Sequence, residues 1–238
     1  MLEVTIRAKE FRSSRGDTRQ ILRDVAFAAA PGEVLALLGP SGVGKSTILR
    51  ITLGLDRDFE GSVQLPSGRL GVMFQEPRLL PWLSVEDNLR LVLPANWAAA
   101  PDIGALLSEV LLPPIPNLLP SALSLGMARR VALARALVVD PAILVLDEPF
   151  ASLDQSLATT LGVRIVDRVR RRGTLVVLST HDIDQALAMS TRILVIAGEP
   201  ASLVEDIAVP RRDDDETANA GLRQSLLSRF SFLGRGGS

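Results

Sequence analysis

The chain has 238 residues, 47% of them hydrophobic, which suits one large domain or one domain carrying a small inserted one. With 26 basic and 27 acidic side chains the net charge is −1, so no basic face is available for nucleic acid. Cysteine is absent, which excludes disulfides and cysteine-ligated metals, and a single histidine, His181, excludes a histidine-rich metal site.

From Met1 to Ile6 the chain alternates like a strand and lacks the apolar core of a signal peptide. Short alternating segments through residues 1–30, grouped around Ser13-Ser14-Arg15-Gly16-Asp17, predict an antiparallel hairpin layer. The longest apolar stretch, Val25 to Pro40, is interrupted by Pro31-Gly32-Glu33, which reads as a turn between two strands. No unbroken run reaches the roughly 18 residues of a spanning helix, so a membrane role would come through a partner. Strand-like runs follow at Val34–Leu38, Leu70–Phe74, Ala142–Leu146, Thr174–Leu178 and Arg192–Ile196. Helical patterns lie at Lys45–Leu55, Leu125–Val138, Leu153–Arg171 and Asp182–Met189. This alternation predicts an α/β fold, a mostly parallel sheet flanked by helices.

Between about Glu76 and Val138 the sheet pattern pauses in a proline-rich stretch with short helical pieces. The expected organisation is a single domain, 1–238, with a nucleotide-binding core of 1–75 and 139–210 and an inserted helical subdomain at 76–138. The remainder, 211–238, runs through Arg211-Arg212-Asp213-Asp214-Asp215-Glu216 to Gly234-Arg235-Gly236-Gly237-Ser238. It reads as an exposed amphipathic helix with a frayed end.

Gly39-Pro40-Ser41-Gly42-Val43-Gly44-Lys45-Ser46-Thr47 matches GxxxxGK[ST] between a strand and a helix, the context of a P-loop. Glycines let successive backbone N–H groups converge on the β- and γ-phosphates of ATP, and the following helix points its positive end at the same place. Lys45 supplies a mobile charge to those oxygens, Ser46 a hydroxyl for Mg²⁺, and Thr47 a weaker contact to the α-phosphate. The competing reading is a glycine-rich turn that binds nothing. Alone, the motif says only kinase, GTPase or ATPase.

Farther on, an apolar strand ends abruptly in Asp147-Glu148. Its carboxyl end would deliver Asp147 to the phosphate-bearing edge, to hold Mg²⁺, and Glu148 to act as general base on the attacking water. Read without the P-loop, two acids after a strand are an ordinary solvated turn.

Leu123-Ser124-Leu125-Gly126-Met127, continuing to Leu137, resembles the signature segment of ABC ATPases. In the family's order, Gln75 resembles the Q-loop glutamine, Ala151-Ser152-Leu153-Asp154 the D-loop, and Ser179-Thr180-His181-Asp182 the switch-histidine loop. The resemblance covers about Met1 to Val209. It implies two subunits stacked head-to-tail, with each ATP between one P-loop and the partner's Ser124 and Gly126. It further implies that Gln75 senses the γ-phosphate and Mg²⁺, and that His181 fixes the geometry of water and Glu148. Asp154 would serve the D-loop, or cap the following helix. Phe11 is the candidate to stack on adenine, or an ordinary phenylalanine of the β layer. Two departures stand out, since the commonest signature is Leu-Ser-Gly-Gly-Gln: Leu125 replaces a glycine and Met127 a glutamine.

Phe74 to Asn88 is similar to the importers for nitrate, taurine and alkyl-sulfonates. That implies transmembrane permease partners, indirectly a periplasmic solute-binding protein, and a peripheral place on the cytoplasmic face of the inner membrane. The cluster Leu79, Leu80, Pro81, Trp82, Leu83 would form a groove for a permease helix, or else the subdomain's own small core. Three other readings compete. A soluble ABC ATPase of DNA repair or translation would usually bring a second cassette, coiled coils or zinc cysteines. A P-loop kinase leaves Asp154 and His181 without a role. An ABC ATPase of lipid extraction or cell-division signalling has the same ATPase core.

Overall fold

The computed structural model describes residues 1–12, 16–97, 100–151, 153–210 and 216–235. Strands β1 (Leu2–Arg12) and β2 (Thr18–Ala29) pair antiparallel with Leu2 opposite Ala29, as the alternating N-terminal segments predict. Residues 13–15 lie outside the described residues. Leu2, Val4 and Ile6 point one way into the core while Glu3 and Thr5 face out, the period-2 pattern of a half-buried strand.

Beyond the turn at Pro31-Gly32, β3 (Val34–Leu38) is buried throughout and leads through the glycine-rich loop into α1 (Lys45–Thr52). The helix closes three residues before the expected end. Gly54, at φ 68°, turns the chain away and leaves Leu55 exposed. Strand β4 (Glu60–Gln64), which the sequence pattern did not announce, completes a three-stranded layer ordered β2-β1-β4.

Next come β5 (Leu70–Met73), α2 (Val85–Arg90), α3 (Ile103–Glu109), a short 3-10 turn at Pro120–Ala122 and α4 (Leu125–Val138). Then follow β6 (Ile143–Asp147), α5 (Gln155–Arg172), β7 (Leu175–Thr180), α6 (Ile183–Met189), β8 (Arg192–Ala197) and β9 (Ser202–Ala208). The six-stranded sheet is ordered β5-β6-β7-β3-β8-β9, with every pair parallel except β8–β9. Strands β3, β6 and β7 are covered on both faces, which is why they read as unbroken apolar runs. Their carboxyl ends share one edge of the sheet. Strand β9 carries the alternating exposure of an edge strand, a weak sequence signal.

The tail departs from the expected exposed helix. In α7 (Glu216–Arg229) Leu226 is fully buried, and Leu233 in the turn beyond it is nearly so. Arg223 Nε donates to Asp184 Oδ1 of α6 at 2.6 Å, and Arg229 pairs with Glu205 of β9 at 2.6 Å. Apolar anchors and crossed ion pairs therefore dock the helix on the core. Residues 211–215 and 236–238 lie outside the described residues. Among the described residues no helix is long and apolar enough to cross a membrane.

Candidate active site

The loop from Gly39 to Gly44 owes its shape to two glycines. A Cβ at Gly39 would lie 2.3 Å from the backbone oxygen of Ile196, so only glycine fits beside β8 there. Gly44 holds φ 113° as the residue before α1, and a Cβ there would press on Leu22 at 2.8 Å. Because Gly44 offers no side-chain cap, the first-turn amides of α1 remain free to receive an anion.

Lys45 is only 4% exposed, and its Nζ donates to the carbonyls of Gly39 at 2.8 Å and Pro40 at 2.9 Å. Burial lowers its pKa below the ordinary 10.5, opposed by the nearby charges of Glu148 and Asp147. The ammonium is thus buried against two carbonyls, with both carboxylates nearby to offset its charge.

Parallel pairing of β6 with β7 sets Asp147 directly opposite Ser179. Asp147 Oδ1 accepts from Ser46 Oγ at 3.0 Å and from Ser179 Oγ at 2.6 Å. Glu148 leaves the strand in the left-handed region at φ 47°, and its N–H donates to both Ser179 Oγ (3.0 Å) and Ser179 O (3.2 Å). That turn aims its carboxylate between Lys45 and His181, with Oε1 4.0 Å from Lys45 Nζ and 3.5 Å from His181 Nδ1. The His181 side chain is 42% exposed, just ahead of α6, whose N-terminus Asp182 caps by accepting from Asp184 N and Gln185 N. The structure thus brings Lys45, Ser46, Asp147, Glu148 and His181 together at one sheet edge. Ser179, quoted in the sequence only as part of a loop, joins them. The available signal was a hydroxyl ending an otherwise apolar strand.

Gln75 is exposed two residues beyond Met73, which pairs with Leu146, so it sits at the same edge. The chain after it is tied to α4 by Arg135, which donates to Pro77 O and Arg78 O, both at 2.8 Å. Ser124 caps α4, its Oγ accepting from Met127 N at 3.2 Å, with Leu125 exposed and Gly126 facing Leu153. Buried Arg129 reaches from the same helix to Ala151 O, so α4 touches the loop that runs to Asp154. Asp154 caps α5 by accepting from Leu157 N at 2.9 Å, and Ser152 lies outside the described residues.

Phe11 is 48% exposed beneath the ammonium of Lys9, 4.9 Å away, and lines a cleft that includes Arg50. Arg50 is one turn along α1 from Thr47, on the same helical face. A separate groove borders Pro40–Val43 and is lined by Arg19, Gln20 and Ile21.

Residues 22–151 match the ABC transporter family, and that span holds the loop, the capped α4 and both acids. The chain belongs to the ABC transporter ATP-binding proteins. An aliphatic sulfonates import ATP-binding protein of Burkholderia lata is 44% identical across 93% of this chain and 85% of the relative. The same-named protein of Xanthomonas axonopodis pv. citri is 40% identical across 98% and 96%. Among solved structures, a dimeric ATP-binding cassette in a post-hydrolysis state with ADP and phosphate superposes with a TM-score of 0.79 at 26% identity. It covers 89% of this chain and all of that one. As an ABC cassette the chain is an ATPase.

Proposed function

We propose that this chain hydrolyses ATP to drive an importer for sulfonate-like anions of the nitrate, taurine and alkyl-sulfonate class. It would act as a dimer docked on the cytoplasmic face of the inner membrane. The convergence of Lys45, Ser46, Asp147, Glu148 and His181 on one sheet edge carries the catalytic part. Backbone amides from Gly39 to Gly44 and the start of α1 would cradle the β- and γ-phosphates, with Lys45 exchanging its carbonyl partners for phosphate oxygens. Ser46 Oγ and Asp147 Oδ1, now 3.0 Å apart, would hold Mg²⁺, and Gln75 would reach it from β5. One hydroxyl and one carboxylate suit an ion that keeps water and phosphate oxygens for its other positions; bound there, it neutralises charge on the phosphates.

Glu148 would take the proton of the attacking water as its oxygen bonds to the γ-phosphorus and the bond to ADP breaks. His181 would orient that water and the γ-phosphate. Ser124 and Gly126, at the start of α4, would meet the ATP of a second copy, and Asp154 would join that interface. Phe11 would stack on adenine from the cleft that reaches α1.

The relatives' names favour import over lipid extraction or cell-division signalling. A surface feature supports a transmembrane partner. Fully buried Asn88 clamps the backbone of the 80–84 turn, accepting from Leu80 N at 2.8 Å and donating to Leu80 O and Leu83 O. The clamp leaves Trp82 71% exposed while Leu79 packs on the core. A large aromatic held out on a rigid turn makes a good anchor for a permease helix. Capture of tagged Glu148→Gln protein from native membranes with ATP tests the reading. Recovery of a permease is expected, and recovery of soluble partners alone would overturn import.

A further inference from the structure

We propose that Ser179 is a positioning residue for catalysis, holding both acidic residues of the site in register through one hydroxyl. The proposal rests on the reading of Asp147 as metal ligand and Glu148 as base. Asp147 Oδ1 and Glu148 N–H both lie within hydrogen-bond distance of Ser179 Oγ, at 2.6 and 3.0 Å. The direction of each bond is forced. An amide N–H can only donate, so the hydroxyl accepts from Glu148, and its single proton is left for the carboxylate.

Two features make this link more than a buried hydrogen bond. Asp147 Oδ1 is shared between Ser179 and Ser46. Once Ser46 turns to the metal, Ser179 is the hydroxyl that still fixes the rotamer of Asp147. Glu148 begins at φ 47°, a conformation a non-glycine residue adopts only when its surroundings impose it. Its N–H, drawn to the oxygen and hydroxyl of Ser179, is part of what imposes it. Ser179 is fully buried and opposite Asp147 in the ladder, so it is closed off from the solvent side of the site and acts through its two neighbours. Such outer-shell partners typically tune metal affinity or activity by about 10–100-fold.

The experiment compares Ser179→Ala, Ser179→Thr and Ser179→Val. Threonine and valine have nearly the same shape and differ by the hydroxyl, so this pair separates hydrogen bonding from packing even if alanine unfolds the strand. Three readouts are taken: kcat and KM for MgATP, ATP affinity without metal, and Mn²⁺ affinity with ADP present, followed by electron paramagnetic resonance. Expected for alanine and valine are a kcat lower by about 10–100-fold and Mn²⁺ binding weaker by about tenfold. Metal-free ATP affinity should stay within about twofold, and threonine should restore the losses. Unmodified kcat and Mn²⁺ affinity in the valine protein would overturn the proposal. So would a parallel loss of metal-free ATP affinity, which would make Ser179 a support for the whole loop. Asp147→Asn and Glu148→Gln run alongside: normal Mn²⁺ binding in the first or normal hydrolysis in the second would sink the underlying reading instead.

Discussion

The two surfaces proposed to meet phosphate are built in opposite ways. At the sheet edge, Lys45 and Ser46 open α1 while Asp147 ends β6 and Glu148 follows it, and each side chain already bonds or pairs with another. At the start of α4, Ser124 is exposed and its hydroxyl caps its own helix. The first surface has buried its charge and needs an anion to complete it. The second is an exposed, self-capped helix start whose proposed chemistry would begin when another molecule supplies the phosphate. A cassette built this way has one half of its site set by folding and the other by association.

The largest effect should come from the finished half. Glu148→Gln would remove the proposed base but keep the shape, so kcat should fall by roughly 10²–10⁴-fold while ATP stays bound and the dimer persists. Phosphate release and size-exclusion chromatography with ATP would check it; hydrolysis at the unmodified rate would take the base away from Glu148. Lys45→Ala should weaken ATP binding by at least about a hundredfold, since truncation removes a buried charge from its anion. Calorimetric titration of the separated monomer reads that loss directly.

The unfinished half should respond differently. Ser124→Ala should lower kcat by about 10–100-fold yet leave monomer ATP affinity within about twofold if, as proposed, the serine serves another copy's nucleotide. Helix capping is a rival explanation, and Ser124→Asp separates the two. Aspartate caps a helix about as well as serine does, but it sets a negative charge against the γ-phosphate. Activity in the aspartate protein below that of the alanine protein supports the phosphate contact. Activity restored to the serine level would reduce Ser124 to a cap and erase the contrast between the halves.

The same contrast governs what could be read from residues alone. Lys45 was legible from the P-loop motif, Asp147 and Glu148 from the buried strand they end, whose apolar run is written into the sequence, and His181 from the resemblance to the family's switch-histidine loop. Ser179 showed only as a hydroxyl near the end of an apolar strand, because its role depends on the register that sets β7 against β6, a long-range fact. Strand β4 was missed because its exposed residues carry little period, and edge strand β9 because its alternation runs between exposed and only half-buried residues. The C-terminal helix read as exposed for a similar reason. Its few buried side chains, Leu226 among them, are spread through polar sequence, and the partners Asp184 and Glu205 that hold it are far away in the chain.

The smallest expected effect concerns the charge of Lys45 and again separates the halves. Burial holds its pKa below 10.5 in the free protein, while Asp147 and Glu148 pull the other way. Only the protonated form attracts phosphate, and bound phosphate raises the pKa again, so ATP binding at alkaline pH is coupled to proton uptake. The sign follows: affinity should be level while Lys45 is charged and should decline as pH climbs through the lowered pKa, before an ordinary lysine would lose its proton. The matching stability change has the opposite sense. The depressed pKa favours the neutral form in the folded state, so the free protein gains stability over the same rise in pH. Titrations of ATP from pH 7.5 upward, with thermal unfolding of the free protein at each point, would show the two trends crossing. In Lys45→Met protein both pH dependences should flatten, and a decline that survives there would assign the proton to a different group. Ser124→Ala should leave both curves where they are, since its hydroxyl belongs to the half that association completes.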